Sequence, residues 1–268
     1  MSLVSTALAY RELLANLVIR DLKSRYRGSA LGLLWTVLTP LFMALIYIFF
    51  LRLLMGRGVR IRHEEIIIGV FAWQFTIQAI QSGMNCITGN ANLVKKIYFP
   101  RIIIPLSVNL SALINYLLML VVQLGLVAVI LHTGGSHLSA GTFFIPLLIV
   151  YHFMFNLSLA LLTAAANVYF RDTQHFVGLF ISAWFFVSPV MYSLSLLDAL
   201  TGDKAWLREL YMLNPLTLII TAYRALQIPG EVFPWSIGAV IGWCWPVVIF
   251  AGALIFYQRT QRYFADWL

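Results

Sequence analysis

The sequence predicts an all-α integral membrane protein of six transmembrane helices, and three observations lead there. Of its 268 residues 61% are hydrophobic and 10% charged, against roughly 45–50% and about 25% in soluble domains. Stretches without Asp, Glu, Lys or Arg cover residues 28–51, 66–94, 102–170, 173–197 and 232–258, and a bilayer core takes about 20 apolar residues per helix. The formal net charge is +8, but the basic residues fall in short blocks between apolar runs. That is the pattern of membrane flanks facing anionic lipid, not of a nucleic-acid-binding face.

The stretch 102–170 is too long for one helix, and the loop HTGGSHLSAG at 132–141 divides it. The spans are then expected at about 30–51, 66–90, 104–131, 143–168, 175–197 and 234–258, within a single domain of residues 1–268. An even number of spans puts both ends on one side. With the ends inside, the cytoplasmic segments carry Arg11, Arg20, Lys23, Arg25, Arg27, Lys95, Lys96, Arg101, Arg171, Arg259 and Arg262. The external segments carry Arg52, Arg57, Arg60, Arg62, Lys204, Arg208 and Arg224. The excess inside favours cytoplasmic N- and C-termini, with the Arg-rich loop 52–65 (RLLMGRGVRIRHEE) as the dissenting segment. The first 27 residues carry too many charges for a cleaved signal peptide.

Two segments outside the spans carry a pattern. Residues 10–27 read as an interface helix. At 100° per residue Glu12, Asn16, Arg20, Lys23 and Arg27 share one arc, while Leu13, Leu14, Leu17, Val18, Leu22 and Tyr26 fill most of the rest. Residues 204–213 and 216–227 are apolar-rich and too short to span, and Asn214-Pro215 separates them. Proline there forbids one straight helix, so two short helices re-entering the outer leaflet are expected, packed on protein or on a wet cavity.

The chemistry is defined mostly by what is missing. No Gly-Lys pair occurs, so a P-loop is excluded and ATP is not expected on this chain. None of the five histidines is followed by a ligand partner three or four residues on, and Cys86 and Cys244 sit in apolar runs, so no metal site or disulfide is expected. The six spans as drawn contain no carboxylate, which disfavours a proton-coupled carrier. They do contain aromatics, among them Trp35, Trp73, Phe75, Tyr98, Trp184, Phe185, Phe186 and Tyr192. Such rings suit a lipid-facing belt, or a channel on which sugar rings stack.

Four segments carry a resemblance: RDLKSRYRGSALGLLWTVLTP at 20–40, NANLVKKIYFPRIIIP at 90–105, NVYFRD at 167–172, and Asn214-Pro215 in the last external loop, with RYFADWL at the C-terminus similar as well. Their order and spacing along the chain resemble the ABC-2 type permeases that export lipid-linked polysaccharides such as O-antigen, capsule and teichoic acid. The resemblance implies a homodimer in the bacterial cytoplasmic (inner) membrane, paired with two copies of a separate P-loop ATPase that binds ATP and Mg. It implies ATPase-coupling residues in the interface helix (Arg20, Lys23, Arg27) and in the segment 86–101 (Lys95, Lys96, Phe99, Arg101). It further implies a dimer-interface channel, here with Trp35, Trp73, Trp184, Phe185 and Tyr192 as lining aromatics. The short helices at 204–227 become an external gate, with Trp206, Tyr211, Asn214, Pro215 and Tyr223 as its residues.

An ABC-2 exporter of drugs or small lipids is the alternative within the same architecture. A membrane-embedded transferase would need a paired His/Asp or Asp/Asp site at the interface, and the sequence offers none. For Lys95 and Lys96 the plainer role is topological anchoring.

Overall fold

Apolar runs of bilayer length fold as helices because hydrocarbon offers no partner to a backbone N–H or C=O. In the computed structural model, which describes residues 3–55, 62–194 and 205–268, helix is the only regular secondary structure among the described residues. The N-terminal part holds α1 (Leu3–Ala9), α2 (Arg11–Tyr26), α3 (Leu34–Met55), α4 (His63–Asn85) and the short α5 (Ala91–Lys96). Then come α6 (Ile103–Thr133), α7 (Ile145–Tyr169) and α8 (Thr173–Val187). The C-terminal part holds α9 (Ala205–Met212), α10 (Pro215–Gln227), α11 (Ile237–Thr260) and α12 (Phe264–Trp267).

Five of these, α3, α4, α6, α7 and α11, are long and apolar enough to cross a membrane. The segment expected to span at 175–197 differs. Its helix, α8, has 15 residues, or roughly 22 Å at 1.5 Å per residue, short of the ~30 Å hydrocarbon core. Ser188 stops it: the residue precedes Pro189 and takes an extended conformation (φ −113°, ψ 144°), as the proline ring requires of its predecessor. Residues 195–197 of that expected span lie outside the described residues, as do residues 56–61 of the basic loop and position 204 of the first short helix.

Helix α4 is the centre of the bundle. Of its most apolar window 72% is buried, against 17% for α3 and 22% for α11, and it packs on α3, α6, α7 and α10. Gly83 allows the close approach to α7, since a side chain there would collide with Ala160; small residues at such crossings are how membrane helices gain contact without a hydrophobic driving force. Polar side chains tie the same contacts. Thr76 of α4 bonds His152 of α7 at 2.7 Å, and Gln123 of α6 donates to Gln227 of α10 at 2.6 Å. Asn167, from the NVYFRD motif, donates to the Met84 carbonyl at 3.0 Å and fixes the end of α7 to the end of α4.

Helix α2 lies across the N-terminal half of α6. Leu17 and Val18 are buried and Leu13, Leu14 and Leu22 half-buried, whereas Glu12, Asn16, Arg20, Lys23 and Arg27 are exposed. Gly28 turns the chain out of α2 at φ +79°, a conformation costly for a residue with a Cβ. The two short helices fall where Pro215 divides them. Of these, α10 is not a surface element: Leu216, Leu218, Ile219, Ile220 and Tyr223 are all fully buried, packed on α4, α7 and α11.

Candidate functional site: an aromatic wall, its polar clamp and a basic end

The non-helical stretch after α8 turns through buried residues, Ser188, Pro189 and Val190. Its carbonyls need donors, because non-helical backbone inside a membrane bundle has no water to bond. Arg224 of α10 supplies them. Its Nη2 donates to Pro189 O at 2.6 Å and Val190 O at 3.3 Å, its Nη1 to Tyr192 O at 3.0 Å, and its Nε to Glu65 O at 3.1 Å. The planar fork of a guanidinium reaches four acceptors on two segments at once, which a point-charge ammonium does not. Gly69 leaves the room: a Cβ there would meet Val190 O and the Arg224 guanidinium.

The charge is compensated nearby. Glu65 is buried at 5% exposure, and it acts electrostatically on Arg224 together with Glu231. Just outside α4, Arg62 bridges Glu64 (3.1 Å), Glu65 (3.1 Å) and Glu231. Burial alone would lower the Arg62 pKa, but the hydrogen bond with Glu64 and the fields of Glu65 and Glu231 outweigh it and hold it raised.

Asn214 is the second tie. Its Oδ1 accepts from Leu216 N at 3.1 Å, capping α10 ahead of Pro215, the arrangement in which proline at the first helical position costs nothing. The same oxygen accepts from Trp184 Nε1 at 3.0 Å. Its Nδ2 donates to Ser188 Oγ at 2.9 Å and to Val187 O at 3.3 Å. The Asn-Pro pair thus starts one helix and closes the end of another.

Around these ties the rings form a wall. Trp73 stands edge-on to Trp184 (centroids 6.1 Å) and Phe185 (5.5 Å). Phe185 meets Tyr47 of α3 at 5.4 Å, and Trp184 meets Phe180 at 5.3 Å and Phe155 at 6.0 Å. Three of the five rings expected in a channel, Trp73, Trp184 and Phe185, therefore come together. Trp73 is buried behind the other two at 5% exposure. Tyr192 lies past the helix break, donating its hydroxyl to Phe186 O at 2.8 Å and facing Tyr211 at 6.4 Å. Trp35 stands apart on α3, half exposed. The wall is thinly covered, since Ile181 is the buried residue of α8.

The residues expected in the gate divide in the same way. Trp206 of α9 is exposed and Tyr211 half-buried. Asn214 and Pro215 sit at the junction just described. Tyr223 is fully buried, among the rings of Tyr116 (6.2 Å) and His152 (5.9 Å).

At the opposite end of α4 the coupling candidates converge. Arg20 of α2 donates to Asn90 Oδ1 at 2.5 Å, which joins the interface helix to the segment before α5. Lys23 and Arg27 stay exposed beside Arg20 on a shallow surface with Asn16 and Ile19. Lys95, Lys96, Phe99 and Arg101 line one groove with Tyr10, Gln258, Gln261 and Arg262. Phe99 is its buried anchor, Arg101 donates to Gln261 O, and Tyr257 OH donates to Arg101 O at 3.2 Å. Tyr98, expected from sequence among the span aromatics, is instead fully exposed at the tip of this segment beside the exposed Ile97.

Sequence reasoning missed three groups. Arg224 was grouped with the external basic residues, and Glu65 fell one position outside the span as drawn. Gln74, Gln78 and Gln81 do not interrupt a charge-free run, although their i, i+4, i+7 spacing on α4 was a readable signal.

This architecture, a helical bundle with five helices of membrane-crossing length, a basic, polar end and an aromatic wall, is that of a multi-pass membrane protein. The chain belongs to the ABC-2 type transporter family, whose profile matches residues 12–228. Among characterised relatives it is similar to the O-antigen export system permease protein RfbA of Myxococcus xanthus, at 31% identity over 97% of each chain. Two proteins of the same name from Klebsiella pneumoniae are 30% and 28% identical, over 82% of this chain and 81% of theirs.

Proposed function

We propose that this chain is the transmembrane permease of an ATP-driven exporter that moves lipid-linked polysaccharide of the O-antigen class across the cytoplasmic membrane. The observation that carries the reading is the aromatic wall of Trp184 and Phe185 on the thinly covered α8 and Tyr47 on α3, backed by the buried Trp73 of α4. Two copies of the chain facing each other across these helices enclose a ring-lined path. A polymer in transit must be held weakly at many points, and ring stacking supplies about 0.5–1.5 kcal/mol per contact with little directional demand. The overall similarity to O-antigen export permeases supports this substrate over drugs or small lipids.

In this reading both termini are cytoplasmic, α2 lies at the inner interface, and α8 with the non-helical residues after it completes a sixth crossing. ATP and Mg are held by two copies of a separate ATPase. Arg224 and Asn214 tie α10 into the bundle, so the moving part of the external gate is α9, which carries Trp206 and Tyr211.

The ATPase docks on the basic end, and its centre is Tyr98 with Ile97, flanked by Lys95 and Lys96. Tyrosine is among the residue types that dominate such contacts. Tyr98→Ala is expected to weaken co-purification of the ATPase about tenfold or more, since aromatic anchors are worth about 2 kcal/mol or above. Lys95→Ala with Lys96→Ala should lower stimulated ATP hydrolysis with insertion unchanged. The measurement is pull-down and ATP hydrolysis of the reconstituted pair. An inverted topology in the lysine variant would instead assign those residues to anchoring.

A further inference from the structure

The face of α4 left open by its neighbours is polar. Over the turns from Gln74 to Asn85 the residues that are not buried are Gln74, Ile77, Gln78, Gln81, Ser82 and Asn85. A helix whose other faces are fully packed would be expected to turn Leu or Ile to lipid, and an unpaired amide in hydrocarbon costs several kcal/mol. Among the described residues no hydrogen-bond partner meets the side chains of Gln74, Gln78 or Gln81. They line a groove of about 350 Å³ whose other wall is Trp35, Thr36 and Thr39 of α3.

We propose that this groove is a glycan track, in which the three amides bond sugar hydroxyls while Trp35 offers a ring face. The proposal rests on the export function above and names the site by which the neutral part of the substrate is held on the cytoplasmic half of the path. The donor set argues for it. A primary amide gives two N–H donors and an acceptor, which matches a hydroxyl that both gives and takes a bond. The one charged residue of the groove, Arg25, is already paired with Asp21 (3.1 Å) and bonded to Ser82 (2.7 Å), so the site is neutral and unsuited to a phosphate. At positions i, i+4 and i+7 the amides run roughly 10 Å along the helix axis, enough to meet more than one ring of a chain sliding past. They are equivalent and individually weak, which suits passage over capture.

Two experiments in glycan-producing cells test it. Gln74→Leu, Gln78→Leu and Gln81→Leu combined keep size and helix propensity but remove every amide. This variant should insert and bind its ATPase normally yet lower surface glycan about tenfold or more, the scale of several lost hydrogen bonds. Gln78→Asn alone should stay within about twofold of the wild type, because the amide is retained. Independently, Gln78→Cys in a Cys244→Ser background should react with a water-soluble maleimide in inverted vesicles. Labelling should fall several-fold when glycan synthesis is switched on. Equal labelling with and without glycan, or no labelling in either state, overturns the track, the second result assigning the groove to a second copy or to lipid. Wild-type export of glycan in the same cells alongside unimpaired export by the triple variant sinks this proposal alone. Absence of glycan export by the wild-type chain sinks the export function and the track with it.

Discussion

Replacing Arg224 by Ala is expected to leave little folded protein in the membrane. The change strips four carbonyls, those of Glu65, Pro189, Val190 and Tyr192, of their donor. It also leaves the buried Glu65 without that compensating charge. Removing one member of such a buried charged network costs about 3–5 kcal/mol, a large part of a typical folding free energy. Arg224→Lys should fall between, because an ammonium keeps the charge but not the fork that reaches both α4 and the stretch after α8. The measurement is the detergent unfolding midpoint together with the yield of inserted chain. Wild-type stability in Arg224→Ala would mean that the non-helical stretch after α8 is held by something else.

The second large effect is at Asn214, and its diagnostic variant is Asn214→Asp. At an ordinary helix N-cap the two residues are nearly equivalent. Here Nδ2 donates to Ser188 Oγ and Val187 O, and Asp puts an anionic oxygen against that carbonyl. Asn214→Asp should therefore destabilise by about 1–3 kcal/mol, as expected for unmatched buried polar groups. Asn214→Ala should cost a similar amount through the lost cap and the lost Trp184 bond. Unfolding midpoints of the two variants decide it. A neutral Asp variant with a destabilised Ala variant would reduce Asn214 to a cap.

These ties also change what alanine substitution of the wall reports. Trp184 is bonded to Asn214 and packed on three rings, so Trp184→Ala perturbs the fold as well as the path. Phe180 and Phe186 are more than half exposed and report on the path more cleanly.

Much of the fold was legible because lipid imposes a simple rule: apolar length becomes helix. The break between α9 and α10 was legible for a local reason, since Pro215 cannot continue a helix and Asn214 caps one. The failures share a cause. Hydropathy along 173–197 is continuous, yet Ser188-Pro189 ends the helix while composition stays apolar, so counting apolar residues overstates α8. Arg224 looks like a loop charge to any count along the chain; only the convergence of carbonyls from α4 and the stretch after α8 makes it internal. Tyr98 follows an apolar run but sits beyond two lysines, which marked it as belonging to the exposed end. The amides of α4 were overlooked because uncharged polar residues leave a hydropathy window almost unchanged, although their spacing places them on one face.

The central claim is that this chain carries glycan and a separate ATPase powers it. The most direct measurement uses inverted membrane vesicles containing the permease, its ATPase and radiolabelled lipid-linked glycan, with an external glycosidase reporting what has not entered the lumen. Protection of the glycan should require the permease, the ATPase and hydrolysable ATP together, and the permease alone should hydrolyse no ATP. Protection by the permease without the ATPase would contradict the account, as would ATP-driven movement of small lipids by a complex that leaves the glycan outside.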